Sequence, residues 1–226
     1  MTGTDWSHVR RQVASLARQF GVCGDRRRRG VPPPLSPAEL AEVEAQVEVE
    51  LPEEYRSYLL QISRGGVHPL PELRRVDGRW RWLLPYCGDD VANGLDRPFP
   101  HTEAWNWPDS SEPEPLPEDY PTQEEYEAAE REWWRDKVGF ADEWAITQGT
   151  LVVHDRGCGF QTLLVVSGAA RGTMWFDDRC VDGPVRPVLD DAGRRVGFAR
   201  WYRRYLAEHS LFPSFRRRRE RWSASG

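Results

Sequence analysis

The sequence lacks the features that place a protein in a membrane or export it from the cell. No hydrophobic run approaches the ~18 residues of a membrane-spanning helix. The N-terminal stretch MTGTDWSHVRRQ has no apolar segment of the kind found in secretory signals. We therefore expect a soluble protein that is made in the cytoplasm and has no contact with a membrane.

Catalytic and cofactor-binding signatures are also missing. The chain has no G-x-x-x-x-G-K-[ST] loop, no G-x-G-x-x-G after a strand, no H-E-x-x-H helix and no G-x-S-x-G elbow. Its five histidines are scattered along the chain, which disfavours metal ligation. These absences predict a protein that is not an enzyme and that binds no cofactor or metal.

Cysteine is scarce, and its spacing forms no motif. None of the four cysteines belongs to a C-x-x-C pair, so neither a zinc site nor a redox motif is indicated. In a cytoplasmic protein we expect them to be reduced thiols. They are Cys23, Cys87, Cys158 and Cys180.

Cys158 is the one candidate nucleophile. It lies between Gly157 and Gly159, where a thiol would be exposed, and His154 and Asp155 are close in sequence. Residues of one short turn do not, however, make a positioned base with a group that orients it. We interpret Cys158 as a small residue in a tight hairpin turn. A thiol enzyme that uses Cys158 is the weaker alternative.

Length and charge narrow the class of protein and of partner. The 226 residues suit one domain with embellishments or two small ones. The formal charge of −5 argues against general nucleic-acid binding, so no specific nucleic-acid partner is expected. Eleven tryptophans are far above ordinary usage, and this residue is enriched at protein interfaces.

A three-stranded meander is predicted in the second half of the chain. Its apolar runs are Thr150–His154, Gln161–Ser167 and Thr173–Asp177, and the first turn is predicted at Asp155–Gly157. Strands this close in sequence pair as antiparallel hairpins, because a parallel return needs a dozen or more residues. The unbroken apolar run Leu163–Val166 indicates a strand that is covered on both faces.

Helices are expected on either side of this meander in the sequence. Apolar residues recur at helical spacing over Asp5–Phe20. Ser36 and Glu39 form a capping box that starts a second helix, and Pro52 starts a third. Together with the meander, these elements predict an α+β fold in which helices pack on an antiparallel sheet. The last helix has an apolar face of Phe198, Trp201, Tyr202, Tyr205 and Leu206.

Three motifs, in this order, resemble the SUKH superfamily. They are the helix LPEEYRSYLLQISRGG, the strand pair GCGFQTLLVVSGAARGTMWFDD, and the closing aromatic helix from Phe198 to Leu206. The resemblance covers roughly Leu35–Leu206 and is interrupted by an insertion. It departs from the superfamily pattern at Ser63-Arg64-Gly65-Gly66, which replaces the frequent Asn-Gly turn.

This resemblance implies a SUKH-like fold and a function in binding. The superfamily includes bacterial toxin-immunity proteins, which neutralise a cognate toxin, often a nuclease, by direct contact. It also includes a fungal regulator of cell-wall glucan synthesis, so a regulatory scaffold is the alternative. On this basis we expect an immunity protein whose partner is a basic toxin domain. The oligomeric state is left open.

An acidic, tryptophan-rich insertion lies at about residues 97–140. Between Asp109 and Glu132 it has ten acidic residues and one base, and Thr122 starts a helix that ends at about Lys137. The acids belong either to a solvated helix and loop or to a docking surface for a basic partner. The predicted partner-binding residues are Trp105, Trp107, Asp109, Glu112, Glu114, Glu118, Asp119, Glu124, Glu127, Trp133 and Trp134.

The patterns divide the chain into three predicted segments. Residues 1–34 hold the first helix and a basic, proline-rich linker, and residues 35–208 form a single SUKH-like domain that contains the insertion. Residues 209–226 are a basic, flexible tail. The linker run Arg26–Arg29 is interpreted as solvated, because no aromatic residues interleave with it.

Overall fold

A computed structural model describes residue 4 and residues 6–22, 30–84, 88, 90–108 and 113–209. The expectations that concern the linker arginines, the basic tail after His209, Cys23, Cys87, Asp109 and Glu112 therefore lie outside the described residues.

Seven strands form two antiparallel sheets in the described part of the chain. The larger sheet has five strands in sequential order, from β3 to β7, and the smaller sheet is the hairpin of β1 and β2. This arrangement, with helices around it, confirms the predicted α+β fold with an antiparallel meander. The strands are β1 Glu72–Val76, β2 Arg79–Leu83, β3 Ala92–Asn93, β4 Thr150–Gly157, β5 Phe160–Val165, β6 Met174–Asp177 and β7 Val185–Pro187.

The hairpin between β4 and β5 turns later than predicted. Asp155–Gly157, expected to be the turn, is the end of β4, and Gly157 pairs with Phe160. The two residues between them, Cys158 and Gly159, have φ angles of 53° and 83°. Positive φ at both central residues is what a type I′ turn requires, and that turn matches the twist of the flanking strands. The turn role of Cys158 thus has a backbone reason.

Strand β5 lies between two apolar layers. Leu164 faces a first core, whereas Leu163 and Val165 face a second, as the two-residue period of a strand requires. Each of these three side chains is no more than 1% exposed. The prediction of a strand covered on both faces is therefore confirmed.

The two cores are built by different parts of the chain. The first contains apolar residues of the early helices, of the β1–β2 hairpin and of the last helix, with Leu151 and Val153 from β4. The second contains Val152 from β4, Trp175 from β6, and residues contributed by the connection between β3 and β4. The insertion that interrupts the SUKH resemblance therefore covers one face of the sheet.

Five α-helices occur in the described residues, and the predicted capping box is confirmed. The Glu39 N–H donates to Ser36 Oγ (3.2 Å), and the Ser36 N–H donates to Glu39 Oε2 (2.8 Å). The first helix starts at Val9, later than the predicted Asp5. The helices are α1 Val9–Phe20, α2 Pro37–Val47, α3 Glu53–Gln61, α4 Gln123–Trp133 and α5 Phe198–His209.

Aromatic packing joins α3 to α5. The ring centroid of Phe198 lies 5.0 Å from that of Tyr55 and 5.7 Å from that of Tyr58, both edge-on. The N–H of Ala199 donates to Glu54 Oε2 (2.9 Å), which places a carboxylate at the positive end of α5. The predicted apolar face of the last helix is confirmed, because its aromatic residues are buried.

We predict that Val165→Asp destabilises the protein by at least ~3 kcal/mol, because it buries an unpaired charge in the second core. Val165 is 0% exposed. Val181→Asp makes the same chemical change at a position that is 61% exposed and should leave stability nearly unchanged. Urea unfolding measures both. Equal stability of the two variants would contradict the placement of β5 between two cores.

Candidate functional site

The acidic segment of the chain stands outside both cores. Helix α4 has no buried residue, although it is three turns long. It is capped as predicted, because the Glu125 N–H donates to Thr122 Oγ1 (3.3 Å). It continues into a π-helical turn, Trp134–Val138, close to the predicted end at Lys137. The turn makes most of the contact with the sheet, since Trp134 and Val138 are the buried residues here, and Trp133 at the end of α4 packs against the same core.

The four tryptophans of the predicted site attach this segment to the sheet. Trp134 is 8% exposed and belongs to the second core, and Trp105, Trp107 and Trp133 are half-buried against it. Trp107 and Trp134 have ring centroids 5.9 Å apart. The indole of Trp134 therefore fills the space over the meander. Contact between these tryptophans and a partner stays a prediction.

The acidic residues of the predicted site face solvent. Glu114, Glu118, Asp119, Glu124 and Glu127 are all exposed. Few basic side chains neutralise these acids. Within α4 the structure has one ion pair, from Arg131 to Glu127 at 3.7 Å, and both side chains are about half exposed. Such a pair contributes little to stability. The described part of the segment therefore presents negative charge to solvent.

These carboxylates are close enough to repel one another. Partial burial raises the pKa of Glu114, and the charges of Glu130 and Glu143 raise it further. A hydrogen bond to Glu130 Oε1 (2.8 Å) raises the pKa of the Tyr126 hydroxyl. We call the set of Glu114, Glu118, Asp119, Glu124, Glu127, Glu130 and Glu143 the acidic surface. It joins α4 to the 3₁₀ turn that contains Glu143.

One residue at the edge of the acidic surface was not predicted. Trp144, in the 3₁₀ turn Glu143–Thr147, is 75% exposed, more than any other large apolar residue of the described chain. Its carbonyl accepts a hydrogen bond from Asn93 Nδ2 (2.9 Å), which ties the turn to β3. The signal in the sequence was a tryptophan directly after two acids, Asp142 and Glu143, in a stretch without apolar periodicity.

The structure gives Cys158 no neighbouring base among the described residues. Its thiol is free and exposed, but His154 lies four residues back along β4, about 13 Å away for an extended strand. The His154 ring instead packs against Tyr205 of α5, with centroids 5.3 Å apart. The geometry therefore provides no activated nucleophile at this turn.

The adjacent acids Asp177 and Asp178 are held apart, as expected at a strand end. Asp177 makes a two-pronged ion pair with Arg179, from Nε to Oδ1 (2.9 Å) and from Nη2 to Oδ2 (2.7 Å). Asp178 instead accepts hydrogen bonds from Arg156 and Arg186. The two carboxylates are therefore neutralised by different arginines, and they do not form an acid–base pair.

A cluster of two half-buried histidines lies where β4 meets α5. The His154 ring is 5.3 Å from both the His68 and the Tyr205 ring, and His68 Nδ1 hydrogen-bonds to the Tyr205 hydroxyl. Burial, and after it the charges of His68, Arg156 and His209, lower the pKa of His154 to about 3. In the described residues no group of three or more His, Cys, Asp or Glu side chains is arranged to hold a metal ion.

An antiparallel meander with helices over one face and an acidic segment over the other defines an α+β scaffold of the SUKH type. The chain belongs to the SMI1 / KNR4 family (SUKH-1), whose sequence pattern matches residues 34–187. The match spans β1 to β7 and includes the acidic segment, whereas α1 and α5 lie outside it. No curated protein and no solved structure matches the chain. No helix in the described residues is long and apolar enough to span a bilayer.

The histidine cluster predicts acid sensitivity. The unfolded chain protonates His154 near its ordinary pKa of 6.5, whereas the folded protein does so only near pH 3. Protons therefore bind preferentially to the unfolded state between these values, and the free energy of unfolding falls as the pH drops below 6.5. Between pH 7 and pH 5 the wild type should lose ~2 kcal/mol more than His154→Leu.

Urea unfolding at the two pH values measures this difference. His8→Leu is the matched control, because His8 is exposed, and this variant should keep the pH dependence of the wild type. If His154→Leu loses as much stability as the wild type between pH 7 and pH 5, the histidine is not buried in its neutral form.

Proposed function

We propose that this chain is a cytoplasmic immunity protein that neutralises a cognate toxin by direct contact through the acidic surface. The observation that carries the proposal is the combination of SUKH-1 membership with a largely uncompensated negative surface on an otherwise well-paired scaffold. The SUKH superfamily includes immunity proteins as well as cell-wall regulators, and the negative surface supports a basic protein as the partner.

Charge is the first part of the argument. A toxin that cleaves nucleic acid must bind a phosphate backbone, so its cleft is positively charged. Exposed carboxylates at Glu118, Asp119, Glu124 and Glu127 complement such a cleft and compete with the nucleic acid for it. Long-range attraction between opposite charges also speeds association, which matters when a toxin must be intercepted before it acts.

Attachment to the scaffold is the second part. Helix α4 buries no side chain of its own, so its charged residues can vary without loss of the core. The π-helical turn and the half-buried tryptophans nevertheless hold it against the sheet. Specificity in proteins commonly resides in segments that a rigid scaffold positions in this way. A family of immunity proteins with different toxin partners needs this separation of stability from recognition.

The alternative role is a regulatory scaffold, as in the fungal branch of the superfamily. Both roles use protein binding, and they differ in what happens when the partner is absent. An immunity protein is dispensable unless its toxin is present, whereas a regulator is needed in every cell that grows. If a toxin domain is encoded beside the chain's own gene, co-expression with it separates the two roles, because only an immunity protein restores growth.

We predict that Glu124→Lys combined with Glu127→Lys slows association with that toxin domain on the order of 10-fold and weakens its salt dependence. The dissociation rate should change much less, because charges at the rim of an interface act mainly on the association rate. The melting temperature should hardly move, since α4 has no buried residue. Stopped-flow or surface-based kinetics at two salt concentrations measure these effects, and growth rescue should weaken in parallel.

The matched control is Asp191→Lys combined with Glu208→Lys, two exposed acids outside the acidic surface that give the same change in net charge. If this control slows association as much as the α4 variant, the effect is one of total charge and the proposed docking surface is wrong. A chain that binds the toxin domain but fails to restore growth would instead contradict the immunity role.

A further inference from the structure

Exposed apolar residues are concentrated next to the acidic surface. Five large apolar side chains of the described residues are exposed, and three of them lie in segments around Glu143: Trp144 (75%), Val181 (61%) and Leu116 (50%). Single exposed apolar residues are ordinary, but several around one charged site mark an interaction surface.

Direct contacts join two of these segments, and a charge interaction relates the third to Glu143. The Arg179 guanidinium donates from Nη1 to the Glu143 carbonyl (3.3 Å) and lies 3.6 Å from the Glu143 carboxylate. It thereby joins the turn of Trp144 to the 3₁₀ turn Arg179–Val181. Glu114, two residues before Leu116, is close enough to Glu143 for the two charges to interact.

The turn that carries Trp144 has a fixed backbone. Asn93 Nδ2 donates to the Trp144 carbonyl (2.9 Å) and to Thr147 Oγ1 (3.0 Å). Asp142 Oδ1 accepts from the Ala145 N–H (2.9 Å) and caps the turn. Residues Ile146 and Thr147 are buried on the side of the sheet. The indole of Trp144 therefore projects into solvent from an ordered support, so little entropy is lost when a partner contacts it.

The indole ring has no cation of its own. Six arginine–aromatic contacts occur in the described chain, and none involves Trp144. The nearby Arg179 side chain is only 12% exposed and is held by Asp177. The two residues that precede Trp144 are acidic and exposed: Glu143 is 65% exposed, and Asp142 is also exposed. An exposed indole that directly follows two exposed carboxylates is therefore open to a cation from solvent.

We propose that Trp144 is the anchor of the acidic surface and receives an arginine side chain from a cationic protein segment. This inference rests on the proposed function and names the contact that a basic partner makes. The guanidinium plane stacks on the indole, and its N–H groups donate to the Asp142 and Glu143 carboxylates. Leu116 and Val181 border the contact and exclude water from it.

Arginine fits this site better than lysine. Guanidinium is planar and weakly hydrated, so it can lie flat on an aromatic ring and still use its edge for hydrogen bonds. A second copy of this chain does not fit. A two-fold contact would place each copy's acidic surface against its own equivalent, and the carboxylates of Glu114, Glu130 and Glu143 would repel.

The test uses fluorescently labelled nona-arginine and nona-lysine peptides, with binding measured by anisotropy at physiological salt. Trp144→Ala should weaken nona-arginine binding between about 5-fold and 30-fold, and nona-lysine binding by less. Trp144→Phe should keep part of the affinity. The control is Phe20→Ala, which removes an exposed aromatic at the end of α1 and should change neither affinity. Melting temperatures confirm that each variant folds.

The outcomes separate this inference from the proposed function. If the α4 charge reversal weakens peptide binding but Trp144→Ala does not, the anchor is wrong and the acidic surface stands. If Trp144→Ala weakens peptide binding and the α4 charge reversal does not, the result supports the anchor and counts against docking on α4. If neither variant changes binding, both are wrong. If Trp144→Ala instead dissolves a dimer seen by sedimentation, the occupant is a second copy and the inference is overturned.

Discussion

The two-sided burial of β5 is the constraint on which the rest of the structure depends. Four consecutive apolar residues, Leu163–Val166, are each no more than 1% exposed, and a strand of this kind is stable only when both faces of its sheet are covered. Helices α1, α3 and α5 cover one face. The connection between β3 and β4 covers the other, through aromatic side chains around Trp134 and Trp175. Each of these two layers covers one face of the sheet and removes it from water.

This constraint explains why recognition and stability can coexist in one segment. The connection must supply apolar side chains toward the sheet, and it does so with tryptophans and the π-helical turn. Its other side is free of that requirement. Helix α4 can therefore carry acidic residues that repel one another, and the charge of its Glu130 adds to the rise that burial causes in the pKa of Glu114. The repulsion is a cost in stability, which the basic partner that we propose would relieve by neutralising the charges.

The sequence could predict the elements whose signals are local. The capping box at Ser36, the meander and the aromatic face of α5 all follow from turn residues and periodicity. The turn between β4 and β5 was predicted at Asp155–Gly157 but lies at Cys158 and Gly159. The reason is that β4 extends beyond its apolar run and that strand twist selects the type of turn. The exposures of Trp134 and Trp144 could not be predicted from the sequence, for a different reason. In a segment without apolar period, burial is decided by tertiary contacts, and these placed one tryptophan in the core and the other in solvent.

Native-state hydrogen exchange, resolved by residue, tests the account most directly, because it reports which amides open only when the whole protein unfolds. The account predicts that the amides of Leu163, Leu164 and Val165 exchange only through global unfolding. The amides of α4 should exchange orders of magnitude faster, through local opening that leaves the sheet intact. If α4 is as protected as β5, or if β5 exchanges with the surface loops, the division into a doubly covered strand and an appended acidic surface is wrong.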